Sequence, residues 1–193
     1  MRTLKIIGVA VLAACALSVV VVAPASASVF LASAVGALIL DNQLNTHRFS
    51  IDGGVMECTK VKSHGITLAL SAKSQVATVI YTGCSYVGST VIVTPAEYQF
   101  NADNTVTILN TIVVTSSIGK CSLKIEPKQN LKTVLYLLDP NNNNALNIKA
   151  EVTGILYLSS GGLCGPPGLL HNGTYTGESL AFLDGGGKLA WDA

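Results

Sequence analysis

The residues Lys120-Cys-Ser-Leu-Lys-Ile-Glu-Pro127 constrain the fold more tightly than any other stretch of the chain. In an extended backbone successive side chains point to opposite sides. Cys121, Leu123 and Ile125 then share one face, and Ser122, Lys124 and Glu126 share the other. This is the pattern of a strand with one dry side and one wet side. Pro127 has no N–H to give to a ladder and closes the run. A cysteine on the dry face directs a disulfide into the core.

The N-terminus has the features of a leader. Arg2 and Lys5 precede an apolar run from Ile6 to Val22, and Ala25-Ser-Ala27 offers a small-x-small cleavage site. The expected organisation is a signal peptide over 1–27 and one exported β domain over 28–193. The apolar run is almost long enough to span a bilayer, but the small residues after it favour cleavage. Leu12-Ala-Ala-Cys15 also has the form of a bacterial lipobox, which would anchor the protein to the membrane by lipid on Cys15. Ala16–Ala23 stays apolar where a lipoprotein tether turns polar, so secretion is the preferred localisation.

With the leader removed, four cysteines remain: Cys58, Cys84, Cys121 and Cys164. An even number in an exported chain reads as two disulfides, with three pairings open. Cys58–Cys84 with Cys121–Cys164 closes the shorter loops and is the preferred pairing. No cysteine sits in a CxxC pair. His47, His64 and His171 are not spaced with the cysteines or with one another as metal ligands.

Charge excludes some partners. The twelve Lys and Arg, less Arg2 and Lys5, leave ten against eleven acids, so the part after the leader is near −1. That is no footprint for nucleic acid, and there is no polybasic membrane patch. Charged residues are 12% of the chain, about half the usual share. Ser, Thr, Asn and Gly must solvate much of the surface.

Along the chain, short β-branched or alternating runs are separated by Gly, Pro and Asn turns. Val29–Leu40 reads as a first strand or a buried short helix, and Asp41-Asn-Gln43 as a polar loop after it. Ser63-His-Gly65 reads as a break, and Ile66, Leu68 and Leu70 alternate with Thr67, Ala69 and Ser71. Gln75–Thr82 has the density of a central strand, and Tyr98–Val114 reads as a hairpin. Leu131, Thr133 and Leu135 alternate with Lys132, Val134 and Tyr136 as a strand that becomes apolar on both faces. Asp139–Asn144 is a hairpin loop. Beyond it Ile148, Ala150 and Val152 face in. Residues 159–168 are the most irregular part, and Asn172 begins a last strand. The C-terminal tail is expected to fray, with Leu189 and Trp191 able to dock. Asn172-Gly-Thr174 also fits a glycosylation acceptor, though turn chemistry accounts for it. With no long amphipathic helix, the expected fold is all-β: a two-sheet antiparallel sandwich, with a closed or partly open barrel as the alternative.

Several segments recur together: His47-Arg-Phe49 leading to Cys58, Tyr81-Thr-Gly-Cys84, Cys121-Ser-Leu-Lys-Ile125 with Gln129 and Leu131, Val152–Tyr157, Cys164, and Gly173-Thr-Tyr-Thr-Gly177. In this order the chain resembles a class of uncharacterised secreted all-β proteins of high-GC Gram-positive bacteria. The resemblance implies export and a β fold. It implies no activity and carries over no catalytic residue.

Catalytic chemistry is thin. Ser117-Ile-Gly-Lys120 has the Ser-x-x-Lys spacing of penicillin-recognising enzymes without their companion motifs. No Gly-x-Ser-x-Gly or His-Glu-x-x-His occurs, and the Gly-rich stretches 161–162 and 185–187 lack a phosphate loop's helix and lysine. His64 and His171 read as exposed loop residues. Asp52, Glu57, Glu97, Asp103, Glu126 and Glu151 are the acids from which a glycosidase pair would have to come. Asp139 and Asp103 among asparagines offer oxygen ligands for calcium, but turn chemistry accounts for both. No catalytic, cofactor or metal residue is assigned.

The leading expectation is a secreted, non-catalytic structural or binding module for an envelope polysaccharide, lipid or protein. Its binding surface would be loops 83–90, 139–145 and 159–172, with Tyr86, Tyr157 and Tyr175 as contact aromatics. A secreted glycoside hydrolase-like enzyme and a self-assembling envelope or extracellular protein are the alternatives.

Overall fold

The computed structural model describes residues 28–52, 54–116 and 121–193. The expected leader with Cys15, and the Ser117–Lys120 pair, lie outside the described residues. The strands are β1 (Val29–Ala32), β2 (Leu38–Gln43), β3 (His47–Ile51), β4 (Gly54–Ile66), β5 (Ser71–Ala72), β6 (Ser74–Tyr86), β7 (Ser89–Val93), β8 (Ala96–Asn101), β9 (Thr105–Ile108), β10 (Ile112–Ser116), β11 (Ser122–Ile125), β12 (Asn130–Lys132), β13 (Val134–Asp139), β14 (Asn142–Ser159), β15 (Gly168–Leu183) and β16 (Leu189–Asp192). A single 3₁₀ turn, Gly162–Cys164, interrupts them. The fold is an all-β, two-sheet antiparallel sandwich with two disulfides. A three-stranded sheet runs β16-β1-β5, and the rest form a thirteen-stranded sheet.

Four strands are too long for one partner, and they shape the larger sheet. β6 pairs with β4 along one edge, and with β8 and then β7 along the other. β15 pairs with β14 on one side and with β3 and β2 on the other. The ladder β3-β4-β6-β7-β10-β11-β14-β15 therefore returns to β3 at one end of the molecule. At the other end the strands run β12-β9-β8-β6-β4-β2-β15-β14-β13, continuous through the β2–β15 pairing. The small sheet covers that end. Phe30 packs edge-on against Tyr136 with centroids 4.8 Å apart, and the Trp191 indole N–H donates to the Ala102 carbonyl at 3.0 Å.

Alternation carries most of the core. Cys121, Leu123 and Ile125 are buried on β11 or next to it, with Lys124 outside. β4 and β6 both change phase at one place. Met56 and Cys58 face in, then Val61; across from them Cys84 and Tyr86 face in, then Val79 and Ala77. Gly83, at φ 60°, absorbs the kink, and a Cβ there would lie 2.4 Å from the Thr59 hydroxyl. The paired Cys58 and Cys84 sit opposite one another in this ladder. Cys121 pairs with Cys164, tying the irregular 159–168 segment to the core. Both bridges follow the shorter-loop pairing.

The structure corrects several local expectations. Asp41–Gln43 continues β2 rather than looping out, and Ser63–Gly65 continues β4. Gly65 is needed there because a Cβ would meet the Val76 carbonyl at 2.5 Å. β4 ends at Ile66, so no strand follows through Leu70. Thr67 is fully buried while Ile66, Leu68 and Leu70 are exposed. The Thr67 hydroxyl accepts from the Ala37 N–H and donates to the Ala34 carbonyl, which turns its apolar neighbours outward. Thr133, at φ 74°, splits the expected 131–136 strand and flips its phase, leaving Leu135 exposed. The C-terminal tail does not fray at Leu189–Asp192: it forms β16 on β1, with Leu189 and Ala190 buried.

Candidate ligand site in the interior

The inner face of the larger sheet does not close on itself completely. It encloses a cavity of about 140 Å³ with a mostly aliphatic wall that includes Ile39, Val79, Ala150 and Val152. The polar groups on the wall gather on neighbouring strands: Asp41 from β2, His47 from β3, Tyr81 from β6, Tyr98 from β8, and Tyr175 and Ser179 from β15.

Local sequence explains this gathering. On β15, Gly173, Tyr175 and Gly177 share the inner face at period two. β3 lies beside them, with Phe49 opposite Tyr175. A Cβ on Gly177 would lie 2.6 Å from His47 Nδ1, and one on Gly173 would lie 3.2 Å from the Phe49 ring. The two glycines thus leave room for the β3 rings to lie over β15. His47 Nδ1 then meets the Tyr175 hydroxyl at 2.5 Å, and Nε2 meets Ser179 Oγ at 3.3 Å. The Tyr175 and Tyr81 hydroxyls are 3.4 Å apart, and those of Tyr81 and Tyr98 are 3.1 Å apart. The rings pack edge to face, Tyr81 and Tyr175 at 6.4 Å and 83°.

Burial sets the protonation of the cluster. It pushes the Tyr81, Tyr98 and Tyr175 phenols well above their ordinary range; for Tyr81, Tyr175 and Asp41 add to the rise and the hydrogen bond with Tyr98 opposes it. Burial lowers the His47 pKa, outweighing its hydrogen bond to the Glu178 backbone and the Asp41 charge. At neutral pH the His47 and tyrosine side chains form a chain of neutral donors and acceptors beside Asp41.

The wall between β2 and β4 is thin next to this cluster. Their ladder stops at Leu40–His64. Beyond it, side chains stand in for backbone: the Asp41 carboxylate accepts from the Ser63 N–H, and Gln43 Oε1 accepts from the Val61 N–H at 2.8 Å. At another point on the wall, Gln75 Oε1 is buried with no hydrogen-bond partner.

The residues singled out from sequence fall elsewhere, with one exception. Tyr86 is 3% exposed and donates to the Leu163 carbonyl; Tyr157 is 0% exposed and donates to Asn172 Oδ1. Both are core residues that hold the 159–172 segment, not contacts on a loop surface. Tyr175 does reach a site, but an internal one. The expected loops are also short: 83–90 is a β6–β7 hairpin turning at Val87-Gly88, and much of 139–145 and 168–172 is strand. His64 and His171 are exposed on β4 and β15.

The acids lie on the outside. Glu57 pairs with Arg48 at 2.9 Å, Glu126 with Lys124 at 4.0 Å and Glu151 with Lys149 at 2.6 Å. Asp52 accepts from Asn172. Asp103 accepts from the Thr105 N–H and hydroxyl, and Asp139 from the Asn141 N–H, as their turns require. Among the described residues no group of three or more His, Cys, Asp or Glu side chains gathers as a metal site would.

Sequence reasoning missed Asp41, His47, Gln75, Tyr81 and Tyr98 as site residues. The available signal was the Gly-x-Tyr-x-Gly spacing of 173–177, since two glycines flanking an inward tyrosine imply large side chains laid over them. No family model, curated protein or solved structure matches this chain.

Proposed function

We propose that this is a secreted, non-catalytic binding module that takes a small, mainly apolar molecule into the interior of its larger sheet. One observation carries the reading: a cavity of about 140 Å³ with an aliphatic wall and one convergent polar cluster. Apolar pockets with a few placed polar groups are the usual form of small-molecule sites. A cavity of about 150 Å³ accepts a benzene-sized guest, so the ligand, or the part of it that enters, is of that order. The two disulfides, with the leader expected from the sequence, support action outside the cell. The paired, outward placement of the acids gives the hydrolase alternative no comparable support.

The test is a methyl NMR titration of the oxidised protein with cyclohexanol, repeated on Ala150→Met, which adds volume at the wall. Saturable shifts at Ile39, Val79 and Val152 that Ala150→Met abolishes are expected. Shifts confined to outer methyls such as Leu68 and Leu70 would overturn the reading.

Self-association is a second reading with its own observation. Val35, Ile66, Leu68 and Leu70 are exposed on two adjoining segments, Leu68 at 77%. The segments are held together by backbone hydrogen bonds, the Gly36 N–H donating to the Thr67 carbonyl and the Thr67 N–H to the Ala37 carbonyl. Contiguous apolar surface of this kind marks interaction sites. Sedimentation that depends on concentration and is abolished by Leu68→Asp would support it; a concentration-independent monomer would remove it.

A further inference from the structure

The polar groups that the cavity offers a guest are of one kind. Asp41 follows Ile39 on the inner face of β2 and brings the wall's one carboxylate. Among the described residues no lysine or arginine lines the cavity or pairs with Asp41, and the ion pairs found lie outside. Gln75 Oε1 is a second acceptor, buried and without a donor. The donors of the cluster are already engaged: the three tyrosine hydroxyls with one another and with His47, and the imidazole with Tyr175 and Ser179. An acceptor set with an uncompensated carboxylate disfavours an anionic guest and favours a cationic one.

We propose that the ligand is a small lipophilic amine, its ammonium at Asp41 beside the His47–Tyr175–Tyr81 cluster and its apolar part in the cavity. This rests on the cavity being the binding site. The location suits a cation because Asp41 lies at the thin β2–β4 junction. There the ammonium gains a carboxylate partner without full loss of water, and burying a charge unpaired is what makes such sites costly. Gln75 Oε1 gives a guest with a second hydroxyl or amine donor an additional anchor.

The test compares hexylamine, hexanol and hexanoate by calorimetry at pH 7 on the oxidised protein and on Asp41→Asn. Hexylamine is expected to bind at least about tenfold tighter than hexanol, as a charge-assisted hydrogen bond implies. Hexanoate is expected to be weakest. Added salt should weaken the amine and leave the alcohol unchanged. Asp41→Asn should erase the amine's advantage over hexanol. Hexanol or hexanoate binding as tightly as the amine, or an advantage that survives Asp41→Asn, would overturn the amine assignment while leaving the cavity reading in place. Absence of binding by all three would overturn both. Should Asp41→Asn fail to fold, the wild-type ranking and its salt dependence decide alone.

Discussion

Gly177 is small so that a histidine can lie on it. A methyl group there would sit 2.6 Å from His47 Nδ1, against a ring held on both sides by Tyr175 and Ser179. Gly177→Ala is therefore expected to cost ~1–3 kcal/mol by overpacking, measured by urea unfolding. It should also displace the imidazole resonances of His47, while Gly185→Ala, which meets no atom within 4 Å, leaves them unmoved. His47 also sets a pH dependence. Its pKa is lowered in the fold from 6.5, so below pH 6.5 the unfolded chain takes up the proton first. Stability is then full above 6.5 and falls as pH drops toward the lowered folded-state value. His47→Gln should flatten that slope. The tyrosines act in the opposite range. Above pH 10 the unfolded chain loses phenol protons that Tyr81, Tyr98 and Tyr175 retain, so stability falls as pH rises. At this scale the sequence shows the glycine spacing but not its partner, because nothing in residues 173–177 says which ring from residues 47–49 will cover them.

At the level of single elements, alternation was legible wherever a strand kept one partner on each edge. β11 buries Leu123 and Ile125 with Lys124 outside, and β14 turns Ile148, Ala150 and Val152 to the cavity, as period two requires. It misled where side chains or a turn replace the ladder. Asp41 and Gln43 look like loop residues because they are polar; they lie in β2 because that stretch pairs with β15, and on the other edge their side-chain oxygens bond the β4 backbone. Leu68 and Leu70 look like core residues because they are apolar, yet the Thr67 hydroxyl fixes the turn that exposes them. Thr67→Val keeps shape and removes both hydrogen bonds, leaving the Ala37 N–H and Ala34 carbonyl unmatched. A loss of ~1–3 kcal/mol is expected, with faster hydrogen exchange at Ala37 and little change at Val114.

For the whole molecule, the all-β class, the two sheets and the disulfide pairing were readable from turn residues, β-branched runs and cysteine spacing. The cavity was not, because it arises where four long strands change partners, and pairing between strands distant in sequence leaves no local mark. The bridges hold this arrangement at two points. Replacing Cys121 and Cys164 by alanine should cost ~3–4 kcal/mol in chemical denaturation and loosen residues 160–167, since that bridge joins the 3₁₀ turn to the residue before β11. The account depends most on the interior being an empty, reachable apolar space. A crystal of the oxidised protein under xenon pressure tests that directly. The account predicts a saturable xenon site in contact with Ile39, Val79 and Ala150. An interior free of xenon, with gas bound only at the Leu68–Leu70 surface, would contradict it.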